Sequence, residues 1–389
     1  MAGRKFSGVA QASASVFLDS SSGEPLLADA RRAWLEAQDL GWGDPLRLHR
    51  PGRLASQALD QAREVVAQTV GARPDEVVFT ASGVHSANAA VAGMALGRRR
   101  VGSLIVTSAI DHSAVLGAAE ACGDQVTVGV DQFGHVDLDA WSAEIRRDGV
   151  AMACLQVANH EVGTLQPYEE AAELCAQARV PLVLDATAAM GRIELSVSTG
   201  WSLLIGSAQA FGGPASVGVL VIRRGSRWRA PYPTDDYQSG RWPGPPDVPA
   251  IHAAAAALEV WRADRDAVAA RQQALIETLR SRIAVEVSDV DVAGDPIQRV
   301  PHLLTFSVLY VDGETLTLEL DKAGFAVASG SACSASSEHP SHVLAAMGAL
   351  THGNIRVGLT RETTSEEVEQ FLAVLPPIVA EIRSTLGVM

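Results

Sequence analysis

Short, wholly apolar runs alternate with helix-like stretches through the middle of the chain. Runs at 76–80, 103–107, 151–157, 181–185, 202–205 and 217–222 predict six strands. Their apolar residues are consecutive rather than every second one, which is the pattern of strands covered on both faces in a mainly parallel sheet. A small-residue helix is predicted over 86–97, after a Ser-Gly turn. Ligands of such sheets sit beyond the carboxyl ends of the strands, and Ser82, Asn159 and Asp185 fall at or just after strand ends. Residues 226–249, rich in Pro, Gly, Trp and Tyr, read as an irregular loop. A long Ala-rich helix over 251–282 then leads to a smaller C-terminal lobe, with strands at 303–308 and 326–329 and a final helix from Ser365 to about residue 386. The pattern as a whole is α/β.

Composition narrows the function classes. With 389 residues, 47% of them apolar, the chain has enough material for two lobes and a buried core. No apolar run approaches the roughly 20 residues that span a bilayer, so no membrane role is expected. The first fourteen residues have Arg4 and Lys5 but no apolar stretch behind them, which reads as a frayed tail rather than a secretory signal. A net charge of −14 argues against direct nucleic-acid binding, since neutralising phosphates dominates that affinity. The run Arg98-Arg99-Arg100 reads as a solvated turn. The four cysteines, Cys122, Cys154, Cys175 and Cys333, form no CxxC pair. A disulfide framework or cysteine zinc site is therefore not expected, and the setting reads as cytoplasmic.

Three of those cysteines lie in or beside apolar stretches and read as inert thiols. Cys333 sits instead among Ser and Gly in Ser-Gly-Ser-Ala-Cys-Ser-Ala-Ser-Ser, after a short strand and before a Pro-started helix. An exposed, polar setting suits a nucleophile; spacing alone leaves that reading level with an incidental loop thiol. The segment resembles the catalytic-cysteine loop of cysteine desulfurases, within the class V aminotransferase family of fold-type I pyridoxal-phosphate enzymes. Further segments resemble the family in its own order: Val16-Phe-Leu-Asp19, Leu48-His-Arg-Pro-Gly-Arg53, Ser108 to Leu116 with His112, Ala158-Asn-His-Glu-Val-Gly163 against the family's Asn-Asn-Glu-x-Gly, Asp185-Ala-Thr187, and Asn354-Ile-Arg-Val-Gly358.

The resemblance implies a fold-type I, aspartate-aminotransferase-like large domain with a mainly parallel sheet over 30–255. It implies a smaller α/β domain from 1–29 and 256–389, carrying the Cys333 loop. It also implies roles. Asp185 would pair with the pyridine nitrogen and keep the ring an electron sink. His112 would stack on the ring and move protons, Asn159 would face the cofactor and substrate, and Arg356 would grip the substrate carboxylate through two bonds. Ser207 and Gln209 would be cofactor contacts. The family reaction converts L-cysteine to L-alanine and leaves a persulfide on Cys333. A homodimer and a sulfur-acceptor protein are the implied partners.

The departures are as informative. Residues 207–214 read Ser-Ala-Gln-Ala-Phe-Gly-Gly-Pro where the family has Ser-x-His-Lys-x-x-Gly-Pro. Ala210 stands at the position of the lysine that forms the Schiff base, and the only lysines in the chain are Lys5 and Lys322. Val84 stands where a phosphate-binding Thr is expected, Ala188 where a Gln is, and Pro245 in the loop that reaches the partner subunit. One Lys→Ala exchange would account for Ala210 alone, so the pattern reads as divergence of the whole pocket. Pyridoxal phosphate is therefore expected to bind non-covalently, weakly or not at all, with the family reaction lost or strongly impaired. The alternative is a non-catalytic homologue, binding partners or relaying sulfur through Cys333.

Overall fold

The computed structural model describes residues 15–40, 42–195, 199–329 and 340–385. The described chain opens with β1 (Val16–Phe17), followed by helices α1 (Ala28–Leu40) and α2 (Arg50–Val70). The central sheet has seven strands: β2 (Val77–Thr80), β3 (Leu104–Ser108), β4 (Asp124–Val128), β5 (Val150–Gln156), β6 (Leu182–Asp185), β7 (Leu203–Ser207) and β8 (Gly218–Ile222). Their order is β2-β8-β7-β6-β5-β3-β4, and only β8 runs against its neighbours. All seven residues of β5 are buried, which is why its sequence carries no alternation. β4 was not apparent in the sequence: it is the edge strand, and its residues Asp124-Gln-Val-Thr are exposed or half-buried.

Helices α3 (Gly83–Arg98), α4 (Ser113–Cys122), α5 (Leu138–Ile145) and α6 (Tyr168–Ala178) connect these strands. Two hydrophobic cores result. One contains Met94, Val91 and Ala118 with Ile105, Met152 and Leu220; the other contains Trp141, Cys175 and Trp261 with Val106, Leu155 and Leu184. α7 (Val248–Glu286) is longer than the sequence pattern suggested, because Asp247 caps it by accepting from the Ala250 N–H. It bends at Asp264, whose φ of −144° is not helical. The helix supplies Leu258 and Trp261 to the large core and Ile276, Leu279 and Ile283 to a separate one.

That separate core packs under a three-stranded antiparallel sheet formed by β9 (Val290–Ala293), β10 (Leu303–Val308) and, after α8 (Gly313–Lys322), β11 (Phe325–Ala326) and α9 (His342–Met347), by β12 (Asn354–Gly358). α10 (Ser365–Thr385) covers it, and β1 pairs with β11. The strand expected over 326–329 is shorter: β11 ends at Ala326, and Ala328 makes one isolated bridge to Arg356.

One buried ion pair joins these parts. Glu24 and Arg192 meet at 2.7 Å with side chains only 2% and 1% exposed. The other carboxylate oxygen of Glu24 accepts from the Arg361 N–H, just past β12. The same Arg192 nitrogen donates to the Ala210 carbonyl at 3.0 Å, and its guanidinium lies 4.4 Å above the Trp261 ring. Removing one partner of such a pair leaves a buried charge and costs about 3–5 kcal/mol. Arg192→Ala is expected to lower stability by about that amount, read as a fall in the urea unfolding midpoint; an unchanged midpoint would show that Glu24 is not held by Arg192.

Candidate functional site

The carboxyl ends of the parallel strands open into one cavity of about 210 Å³. After β2 come Ser82, Gly83 and Val84; after β3, His112; after β5, Ala158 and His160. β6 ends on Asp185, followed by Thr187 and Ala188, and β7 ends on Ser207, followed by Gln209 and Ala210. The loop of Ser21, Ser22 and Gly23 forms the facing wall. Strand register sets the floor, with Gln156 opposite Asp185 and Asp185 opposite Ile205.

Each wall residue has a local reason for its place. Ser82 caps α3, its hydroxyl accepting from the His85 N–H. Gly83 is required by close approach, since a Cβ there would lie 2.7 Å from the Ser207 Cβ. Val84 is 51% exposed and offers no polar atom from its side chain. Asp185 accepts from the Thr187 N–H at 2.9 Å. Gln209 and Ala210 lie in a short 3₁₀ turn, Ala208–Phe211. Gly212 ends it with φ +77°, and a Cβ there would strike Leu27 at 2.6 Å. The Gln209 amide donates to the Ser22 carbonyl at 3.0 Å and packs against Gly23.

The sequence readings divide at this point. His112, Asp185, Ser207, Gln209, Ala210, Val84 and Ala188 all line the cavity. Asn159 does not. Its fully buried side chain accepts from the Glu161 and Val162 N–H groups and donates to the Ile110 carbonyl, so it shapes the turn. Its neighbour His160 takes the place in the wall. Arg356 is buried in β12 and is not a lining residue; its positive charge acts on His160 from behind. Cys333 lies outside the described residues.

His160 and Asp111 are the residues that the sequence reading passed over. The signal for His160 was present, as a histidine where the family motif has its second Asn. The His112 and His160 rings meet edge-on with centroids 4.8 Å apart, and His342 lies 6.4 Å beyond. The His112 Nδ1 accepts from the Ala114 N–H at 3.1 Å. Burial pushes His160 well below the usual histidine range, and the charges of His112, Arg356 and His342 push it further. Asp111 is buried and accepts from the Ser108 and Gln156 N–H groups. Burial outweighs those bonds and raises it to about 8, with the Asp185 charge adding to the rise.

The start of α9 docks on the segments that flank His112 and His160. The Ser341 hydroxyl donates to Glu161 at 2.6 Å, and the His342 Nε2 donates to the Asp111 carbonyl at 3.0 Å. Val343, Leu344 and Met347 pack on Ile110 and Val162 in a small apolar cluster.

This cavity at the strand ends, with an aspartate closing β6, a histidine after β3 and a turn after β7, is the site architecture of a fold-type I protein. The pattern of the aminotransferase class-V family matches residues 44–371. The chain is 33% identical to a cysteine desulfurase IscS of Dictyoglomus turgidum over 377 residues, 95% of each chain. It is 32% identical to a cysteine desulfurase IscS of Methanosarcina thermophila over 380 residues, 95% of this chain and 93% of the relative. A solved NifS-like protein superposes with a TM-score of 0.87 at 26% identity, over 94% of this chain and all of the other. The chain belongs to the aminotransferase class-V family, among the cysteine desulfurases.

That family uses pyridoxal phosphate. The residues here fit its ring and do not fit its covalent attachment. The Asp185 carboxylate, the His112 imidazole and the Ser207 hydroxyl all line the cavity, and would hold the ring and phosphate. At the attachment position there is only the methyl of Ala210, and no lysine or arginine is among the described lining residues. Lys322, the one lysine among the described residues, is exposed on α8 and paired with Glu319.

His160 is expected to titrate well below the ordinary histidine value of about 6.5. Side-chain NMR of histidine-labelled protein, with His160→Asn to assign the signal, checks this; a midpoint at or above that value would refute the burial account.

Proposed function

We propose that this chain is a cysteine-desulfurase-like protein of sulfur metabolism that does not itself run the family reaction on L-cysteine. The observation that carries this is the methyl of Ala210 at the lysine position of a cavity wall that keeps Asp185, His112 and Ser207. The family's reaction needs an amine there, first to hold the cofactor and then to move protons. General acid–base help of that kind is typically worth about 10²–10⁴-fold. His160 and His112 can accept or donate protons, but neither supplies the covalent anchor. Pyridoxal phosphate would then be held non-covalently and weakly by Asp185, His112 and Ser207, with Val84 and Ala188 adding no side-chain donor.

A second reading concerns Cys333. The docking of α9 through Ser341 and His342 favours it, because the chain re-enters the described structure on Glu161 and Asp111, the sequence neighbours of the cavity-lining His160 and His112. In a relay, a donor persulfide gives its outer sulfur to the Cys333 thiolate. The donor's S–S bond breaks and a new one forms, and the donor leaves as a thiol. The acceptor would be another protein of the same sulfur chemistry.

We also infer a homodimer in the cytoplasm. Trp42, Leu46 and Leu48, before α2, are 69%, 48% and 88% exposed, and Val84 in the cavity wall is 51% exposed, apolar surface that a second copy would cover. Sedimentation equilibrium is expected to show a dimer, and Leu48→Asp to shift it toward monomer; a monomeric unmodified chain would refute this.

With pyridoxal phosphate and L-cysteine, the protein is expected to release no sulfide above a protein-free control and to develop no visible Schiff-base absorbance. Turnover would overturn the first reading. A ³⁵S-persulfide donor is expected to label the protein and not Cys333→Ser; equal labelling of both would overturn the relay.

A further inference from the structure

We propose that the far end of α3 carries a docking site for an acidic segment of a partner protein, one that presents an apolar side chain among its carboxylates. The run Arg98-Arg99-Arg100 closes α3. By itself that run has an ordinary explanation, since cations at a helix carboxyl end complement its dipole. The fold adds a second source of charge. The segment Arg227-Trp228-Arg229 lies along the same helix. The Trp228 indole N–H donates to the Ala89 carbonyl at 2.8 Å, and the Arg229 N–H donates to the Gly93 carbonyl at 3.0 Å. A Cβ on Gly93 would meet the Trp228 ring at 2.0 Å, and one on Gly97 would meet the Arg227 carbonyl at 1.4 Å. Both glycines are needed for so close an approach.

These contacts gather arginines in a chain whose net charge is −14. Arg99, Arg100, Arg227 and Arg229 are exposed, and Arg98 is half-buried. Arg223 and Arg224, earlier in the same segment, are paired with Glu76 and Asp75. Arg98, Arg99, Arg100, Arg227 and Arg229 have no carboxylate within ion-pair distance among the described residues. Arg98 donates instead to the Ala151 carbonyl at 3.1 Å, and burial, then the Arg227 charge, lowers it below the ordinary arginine value. Crowded like charges oppose the folded state, and an anionic partner would relieve them.

A groove of about 550 Å³ adjoins the cluster. It is lined by Ala92, Ala95, Leu96, Cys122 and Pro231 together with Arg99. Leu96 is 41% exposed. An apolar patch bordered by charge is the anatomy of a protein interface. No aromatic ring is among the described lining residues to stack on a nucleic-acid base, so the groove suits an aliphatic side chain better. The site is also separate from the cavity. α3 begins at the cavity wall with Gly83 and Val84 and runs for 16 residues, roughly 24 Å at about 1.5 Å per residue, before it meets the cluster. A partner can dock here with the cavity open, whatever chemistry the cavity performs.

Fluorescence anisotropy with a labelled peptide, EEELEEE, in which glutamates flank one leucine, tests this on the unmodified protein. Saturable binding is expected, weakening at least about tenfold as salt rises from about 20 to about 200 mM. The peptide EEESEEE, which keeps the charge and loses the apolar side chain, is expected to bind at least about threefold more weakly. A single-stranded thymidine octamer is expected to bind more weakly than EEELEEE. The double variant Arg99→Glu, Arg227→Glu is expected to lose at least about tenfold in affinity for EEELEEE. No binding of EEELEEE up to about 1 mM, equal affinity for EEESEEE, tighter binding of the oligonucleotide, or an unaffected double variant would each overturn the proposal. The comparisons on the unmodified protein stand alone if the double variant misfolds.

Discussion

The Glu24–Arg192 pair is the constraint on which the cavity depends. Glu24 leaves the wall loop of Ser21, Ser22 and Gly23, and its backbone N–H donates to the Gln209 carbonyl at 2.9 Å. Arg192 holds the Ala210 carbonyl from below, and Trp261, which the guanidinium covers, donates to the Phe211 carbonyl. Leu27 N–H closes on Gly212. The turn that bears residue 210 is thus fixed through its backbone by partners on three separate parts of the chain. None of those bonds involves the side chain at 210. A lysine can be lost there without the scaffold moving, because the scaffold never used it.

That separation explains how a family fold can persist over a changed chemistry. The sheet, its order and the strand-end placement of the site are set by burial of wholly apolar strands such as β5. The chemical groups are single side chains at the strand tips, where substitution leaves the core untouched. Ala210, Ala188 and Val84 are all at such tips. So is His160, which enters the wall because the preceding Asn159 is locked into its turn by three hydrogen bonds and fixes which way the next residue faces.

Much of this was legible in the chain. Six strands of the central sheet announced themselves through consecutive apolar residues, and the seventh, β4, did not because an edge strand keeps polar residues on its open side. β12 was visible only as a motif, since Asn354 and Arg356 interrupt its apolar pattern while being fully buried. The lining residues followed from strand ends and motif order. That His160 and not Asn159 lines the cavity did not, because the direction of a side chain in a turn depends on hydrogen bonds that motif order does not reveal. Asp111 was missed for a related reason: a carboxyl next to a functional histidine reads as a surface residue until the sheet closes over it.

Asp111 and His160 then bear on one question, the charge the cavity carries. Both are driven toward their neutral forms by the same cause, burial, the carboxyl upward to about 8 and the imidazole well downward. The negative charge of Asp185 raises Asp111 a little further. An ammonium at position 210 would act in the opposite sense and draw a nearby carboxyl back toward its ordinary range. Without that amine, ionising both carboxyls would set one negative charge against the other with no lysine or arginine among the described lining residues to balance them. A protonated Asp111 is the state this arrangement favours near neutral pH. Burial, the largest cause, acts on Asp111 whatever residue stands at 210, so its proton belongs to the closed sheet more than to the lost amine.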